Sequence, residues 1–279
     1  MMRKRVLIQG VAGCFHDAAA RNFFAGDDID TVPCETFIDM FRELHADDSL
    51  LGIMAIENTI AGSLLQNHEL LRQSDMTIIG EQKEYISQSL CALPGQRIED
   101  LIEVNSHPMA LMQCEQYLLA HPWMKMVEAA DTAGSAKVIA ERGLLGHAAV
   151  CGSFAARLYG LAVLDEDIQT NKRNFTRFLI LAHKKQGEKM RHHKVINKAS
   201  LAFTLPHTQG SLSKVLAILS FYDINLSKIQ SMPIIGREWE YRFYVNLNFN
   251  DFQRYCQSID AVKPLINDLK ILGEYEEFK

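Results

Sequence analysis

Five times within its first 160 residues the chain passes through a short apolar stretch, a polar turn and a helical pattern, in that order. The apolar stretches are 6–9, 51–56, 104–105, 124–129 and 148–151, and the turns carry Gly13, Ser63, Ser106 with His107, Thr132, and Ser153. Strands that alternate with helices pair in parallel, because a crossover helix returns the chain to the same end of the sheet. The order therefore predicts an α/β fold with a mostly parallel sheet covered by helices. Residues 1–182 are too long for one simple sheet, so two lobes with a cleft between them are expected. Such turns put backbone N–H groups and helix N-termini at the carboxyl ends of strands, where open α/β sheets bind ligands. Several helix starts facing one cleft would hold a small anion, such as a carboxylate, without many lysines.

Two clusters carry chemistry. Glu57-Asn58-Thr59 ends the apolar stretch 51–56, and Ser63 reads as the cap of the following helix. Asn174-Phe175-Thr176-Arg177-Phe178 runs directly into Leu179-Ile180-Leu181, a short buried strand. Arg177 is a fixed cation suited to a bidentate grip on a carboxylate. Alternation sends Thr176 and Phe178 to one face and Arg177 to the other, so a site using both requires a departure from regular strand geometry. Proline at the first helical position makes His107 the cap before Pro108, where the helix dipole disfavours its charged form. Asp131 or Thr132 caps another helix, and Gly152-Ser153 opens a third. The competing reading of each is structural: a capped turn or a polar strand lead-in.

A net charge of -5 argues against nucleic acid as the main partner. No apolar run is long enough to span a bilayer, and Gln9, Gly10 and His16 interrupt the first apolar segment too early for a signal peptide. The six cysteines are scattered without a C-x-x-C, and the ten histidines include no H-E-x-x-H. That pattern predicts a reducing cytoplasm, no disulfide framework and no metal. Residues 183–198 hold six Lys or Arg against one Glu and read as a solvated linker between domains.

Residues 199–279 read as a second domain with the order βαββαβ, a ferredoxin-like sandwich with an antiparallel sheet. The exposed edges of so small a sheet commonly pair with a second copy, which predicts a homodimer or homotetramer.

At this point the chain resembles prephenate dehydratase over nearly its whole length. The resemblance rests on Asn174-Phe175-Thr176-Arg177-Phe178, Glu57-Asn58-Thr59 with Gly62-Ser63, and Ser106-His107-Pro108 with Ala110 and Cys114. Asp131-Thr132-Ala133 and Tyr159-Gly160-Leu161 add to it, and residues 199–279 are similar to the family's ACT regulatory domain. It implies a bilobal, periplasmic-binding-protein-like catalytic domain at 1–182, a linker at 183–198 and the ACT domain at 199–279. Phenylalanine sensing is implied for His207, Gln209, Gly210-Ser211-Leu212, Asn225-Leu226 and Gln230-Ser231-Met232-Pro233. The chain departs from the family pattern in places. Cys14 and His16 stand where a threonine and a serine are usual, and Thr170 stands where an aspartate follows Ile168-Gln169. Gln230 and Met232 replace the regulatory glutamate and arginine, which leaves the strength of inhibition open.

The implied reaction converts prephenate to phenylpyruvate with loss of carbon dioxide and water. Aromatisation of the ring drives it, so no cofactor is expected. The resemblance makes Thr176 the catalytic residue that helps the ring hydroxyl depart. Substrate contacts are expected from Arg177, Asn174, Glu57, Asn58, Thr59, Ser63, Ser106, His107, Asp131, Thr132, Ser153 and Phe178, the last more readily as core. The alternatives are an arogenate dehydratase, which shares these motifs, and a non-catalytic sensor of small anions.

Overall fold

The structure is a computed structural model describing residues 3–191 and 195–278. The chain divides into two compact units. The first comprises Met1–Met40, Ile53–Gly62 and Lys83–Phe178; the second comprises Phe41–Gly52, Ser63–Gln82 and Leu179–Lys279.

The first unit holds a five-stranded sheet in the order Ala162–Asp165, Ser89–Ala92, His147–Cys151, Glu103–Ser106, Lys125–Glu128. Glu103–Ser106 pairs in parallel with both His147–Cys151 and Lys125–Glu128, as the alternating pattern predicts. Ser89–Ala92 pairs antiparallel with both its neighbours, so the sheet is mixed. The reason lies in the connections. Helices link the other four strands, whereas Ser89–Ala92 follows the strand Met76–Tyr85 after a three-residue gap, with no crossover helix to reset its direction. Leu90, Val104, Ala148 and Val150 of this sheet pack with Ala110, Leu111 and Leu118 of the covering helices. A further parallel pair joins Lys4–Gln9 to Ile29–Cys34. The second of these strands escapes the sequence pattern because Asp30 and Thr31 break its apolar run and Pro33 interrupts it.

The second unit carries the expected βαββαβ order: Lys198–Thr204, Ser211–Phe221, Asn225–Pro233, Tyr241–Asn248, Phe252–Val262 and Asn267–Tyr275. Asp251 caps the second helix by accepting from the N–H groups of Gln253 and Arg254 at 2.8 and 3.2 Å. The helices bury Val215, Leu219, Tyr255, Ile259 and Val262 against Leu201, Phe203, Val245 and Leu247 of the antiparallel sheet. Met76–Tyr85 adds to the sheet in parallel where Ile78 faces Gly273. A Cβ at Gly273 would lie 2.5 Å from the Ile78 carbonyl oxygen, so glycine is required there.

A helix, Lys184–Arg191, occupies part of the stretch read as a linker. Gly187 lets it sit on Thr77 and Ile79, where a Cβ would collide with Thr77. Residues 192–194 of that stretch lie outside the described residues. No helix among the described residues is long and apolar enough to cross a membrane.

Candidate active site

A cavity of about 260 Å³ in the first unit is lined by Glu57, Asn58, Thr59, Lys83, Phe175, Thr176 and Arg177. The two sequence clusters therefore meet, although Asn58 and Thr176 stand 118 residues apart.

Thr59 locks the two segments together. Its backbone N–H donates to the Phe175 carbonyl at 2.9 Å, its hydroxyl donates to the Arg173 carbonyl at 3.0 Å, and the Phe175 N–H donates to that hydroxyl at 2.9 Å. Thr59 thus fixes the entry of the strand Phe175–His183 rather than offering a free hydroxyl. Asn58 turns the next residues, its Oδ1 accepting from Ile60 and Ala61 N–H at 2.9 Å each. Its Nδ2 donates to Asn174 Oδ1 at 2.7 Å, to Thr176 Oγ1 at 3.0 Å and to the Phe175 carbonyl at 3.2 Å. Asn174 is fully buried and passes the chain on, its Nδ2 donating to Gln113 Oε1 at 3.0 Å.

Thr176 and Arg177 both line the cavity although they are consecutive in a strand. Arg177 Nε lies 3.2 Å from Glu57 Oε1, and the arginine side chain is only 7% exposed. Phe178 is buried in core, edge-on to the His16 ring at 4.9 Å.

The remaining expected contacts do not line this cavity. Ser106 is fully buried and donates to the Val150 carbonyl at 2.5 Å within its own sheet. His107 is the helix cap, accepting from Met109 N–H at 3.2 Å. Asp131 caps the helix Thr132–Arg142 by accepting from Ala133 N–H at 3.1 Å, and Thr132 is the first helical residue. Ser153 opens the helix Ser153–Tyr159. Ser63 belongs to the two-residue strand Gly62–Ser63 and does not cap the helix Leu65–Gln73, whose preceding residue is Leu64.

The first glycine turn also differs from the anion cradle expected of it. Val11 N–H donates to Asp131 Oδ2 at 3.2 Å and Gly13 N–H to Asp17 Oδ2 at 2.8 Å, so protein carboxylates already occupy both donors. Burial pushes the Cys14 thiol up to about 12 and the His16 imidazole down to about 4, which keeps both neutral. His16 Nε2 accepts from Ala55 N–H at 3.3 Å, which fixes the ring nitrogen as an acceptor.

Two members of the site escaped the sequence reading. Gln113 ends the helix Pro108–Gln113 and is not among the residues that carry its motif, and Lys83 is one polar residue near the end of a strand. Alternation supplies the available signal for Lys83. It shares a strand face with Tyr85, whose ring lies 5.4 Å from that of Phe175.

Residues 6–186 match the family model described as Prephenate dehydratase. The chain belongs to the prephenate dehydratase family. It is a carbon–oxygen lyase by that membership. It is 36% identical to arogenate dehydratase 2 of Petunia hybrida, over 98% of this chain and 72% of the relative. It is 32% identical to the bifunctional chorismate mutase/prephenate dehydratase of Aquifex aeolicus, over 97% of this chain and 73% of the relative. The fold matches the prephenate dehydratase of Arthrobacter aurescens, solved with L-Phe, at a TM-score of 0.83 and 24% identity, covering 97% of this chain and 89% of that one.

The residues expected to sense phenylalanine lie in the second unit. His207, Gln209 and Gly210 are exposed on the loop before Ser211–Phe221, and Ser211 and Leu212 begin that helix. Asn225, Leu226, Gln230, Ser231, Met232 and Pro233 lie along the edge strand Asn225–Pro233.

Proposed function

We propose that this chain converts prephenate to phenylpyruvate, carbon dioxide and water in the cavity around Thr176. The observation that carries the reading is the bond from Asn58 Nδ2 to Thr176 Oγ1, at 3.0 Å. A hydroxyl that accepts from an amide keeps its own proton for another partner.

As the substrate carboxylate leaves as carbon dioxide, its bonding electron pair enters the ring and the ring C–O bond breaks. The departing oxygen takes up one proton and leaves as water. A threonine hydroxyl is too weakly acidic to act as an ordinary general acid near neutral pH. Thr176 instead donates an oriented hydrogen bond to that oxygen, with water supplying the proton. Arg177, held beside Glu57, grips a substrate carboxylate. Asn174 and Thr59 hold the segment, so they position the hydroxyl rather than touch the reacting atoms.

The second unit acts as an ACT regulatory domain that senses phenylalanine around Gly210, Asn225 and Gln230. The Arthrobacter relative, solved with L-Phe, supports this reading. The edge strand Asn225–Pro233 pairs with a second copy, giving a homodimer or homotetramer. The enzyme works in the cytoplasm on a small-molecule substrate.

Parallel assays of the purified chain on prephenate and arogenate test the substrate. Phenylpyruvate formation that disappears in Thr176→Ala supports the proposal. Turnover of arogenate alone replaces the substrate, and turnover of neither replaces the enzyme with a sensor. Phenylalanine that neither inhibits nor gives binding heat removes the regulatory reading.

A further inference from the structure

We propose that Phe175, braced by Tyr85, is an aromatic wall of this cavity that receives the substrate's ring and holds it more tightly as the ring flattens. The inference rests on the reading of the cavity as the dehydratase site. Among the described lining residues, Phe175 is the one hydrocarbon side chain. Small-molecule sites combine apolar surface with a few placed polar groups, and a six-membered ring bearing two carboxylates needs both.

The backbone of Phe175 is fixed. Its carbonyl accepts from Thr59 N–H at 2.9 Å and from Asn58 Nδ2 at 3.2 Å, and its N–H donates to Thr59 Oγ1 at 2.9 Å. Alternation puts Phe175 on the strand face of Arg177, the proposed carboxylate grip. Phe175 nevertheless stays 43% exposed, so apolar surface stands open beside the groups that take the polar ends of a ligand.

Tyr85 backs this side chain. The two ring centroids lie 5.4 Å apart with their planes at 54°. The Tyr85 hydroxyl donates to Asp167 Oδ1 at 3.2 Å and accepts from Gln169 Nε2 at 3.0 Å. Gln169 is fully buried, and its Oε1 accepts from Gln88 N–H at 2.8 Å. The tyrosine is therefore tied into the fold, and the pair is preset before a ligand arrives, which lowers the ordering cost of binding.

The reaction gives such a wall a direction. Two ring carbons of prephenate are tetrahedral, one carrying the departing carboxylate and the other the hydroxyl. Both become trigonal as carbon dioxide and water form, and the ring ends planar with a full π-face. A phenyl ring packs better against a planar aromatic partner than against a ring with tetrahedral corners. An interaction that strengthens along the reaction raises kcat rather than only lowering KM.

The test compares phenylpyruvate with 3-cyclohexylpyruvate, which carries the same keto acid on a saturated ring. Titration calorimetry gives Kd for both on the full chain as wild type, Phe175→Leu and Phe175→Tyr, and kcat on prephenate is read beside it. Wild type is expected to bind phenylpyruvate about five- to tenfold more tightly than the cyclohexyl compound. Phe175→Leu should bring that ratio below about twofold and lower kcat by about three- to tenfold. Phe175→Tyr keeps the aromatic face and should hold both within about twofold of wild type. Partly unfolded protein lowers the number of binding sites and leaves the ratio of the two constants intact. A ratio that Phe175→Leu leaves at the wild-type value overturns the inference, as does loss of the ratio in Phe175→Tyr or a wild type that does not bind phenylpyruvate. Failure of the underlying reading looks different: the wild type then leaves prephenate and arogenate unchanged, while the binding ratio still reports whether the Phe175 ring meets the ligand.

Discussion

Asn58 Nδ2 donates to Thr176 Oγ1 at 3.0 Å and to Asn174 Oδ1 at 2.7 Å, so one amide orients the hydroxyl and anchors the segment that carries it. The asparagine is fixed in turn by the Ile60 and Ala61 N–H groups. A hydroxyl held in this way needs little reorganisation as charge builds on a departing oxygen.

Removing the orienting amide should weaken turnover more than binding. Asn58→Ala is expected to lower kcat by roughly 10²-fold, with a modest change in KM, because the hydroxyl remains but loses its orientation. Thr176→Ala should fall by about 10²–10³-fold in kcat. Steady-state kinetics on prephenate distinguish the two, and Thr176→Ser should recover part of the loss. An Asn58→Ala enzyme with wild-type kcat would remove the amide from the mechanism.

Arg177→Lys keeps the charge and loses the planar fork. Its expected signature is a rise in KM of about tenfold with kcat largely kept, since bidentate carboxylate binding is lost. If KM stays at the wild-type value, Arg177 serves only to pair with Glu57.

The buried cation of the second unit gives a stability prediction. Lys198 Nζ lies 2.9 Å from Glu81 and 3.2 Å from Glu277, with the Lys198 and Glu81 side chains 3% and 0% exposed. Lys198→Ala strands a carboxylate in the core and should cost about 3–5 kcal/mol. The double variant Lys198→Met/Glu81→Leu should lie much closer to wild type, because neither charge then remains buried. Urea titration reads both, and equal losses in the two variants would show that packing rather than charge sets the cost.

His16 gives a pH dependence. Burial lowers its imidazole from 6.5 to about 4 in the folded chain. Between these values the unfolded chain binds a proton that the folded chain does not, so stability rises with pH through this window. The contribution is present above about pH 6.5 and is lost as pH falls towards 4, amounting to roughly 3 kcal/mol. His16→Phe should flatten that part of the stability curve. A wild-type curve with the same slope as the variant between these values would show that other groups govern it.

Much of the architecture was legible in the chain itself. The βαββαβ order of the second unit follows from clear periodicity and from capping residues such as Asp251. The mixed sheet of the first unit was not legible. Whether Ser89–Ala92 runs with or against its neighbours depends on a connection, and hydrophobic pattern carries no direction. The helix Lys184–Arg191 was hidden in a strongly charged stretch, and it depends on Gly187 meeting Thr77.

For the site, the sequence by itself determined its two clusters, Glu57 to Thr59 and Asn174 to Arg177, because each is a local run of reactive groups beside an apolar strand. Tertiary structure alone decided which other polar residues joined them. Ser106, His107 and Asp131 have the right chemistry, yet Ser106 donates to the Val150 carbonyl across its sheet, and His107 and Asp131 each cap a helix by accepting from a nearby backbone N–H. Lys83 and Gln113 carry no motif and were brought in by packing. The physical reason is that a polar side chain takes whichever partner the fold supplies. Across the 118 residues separating Asn58 from Thr176, only the folded chain fixes that partner.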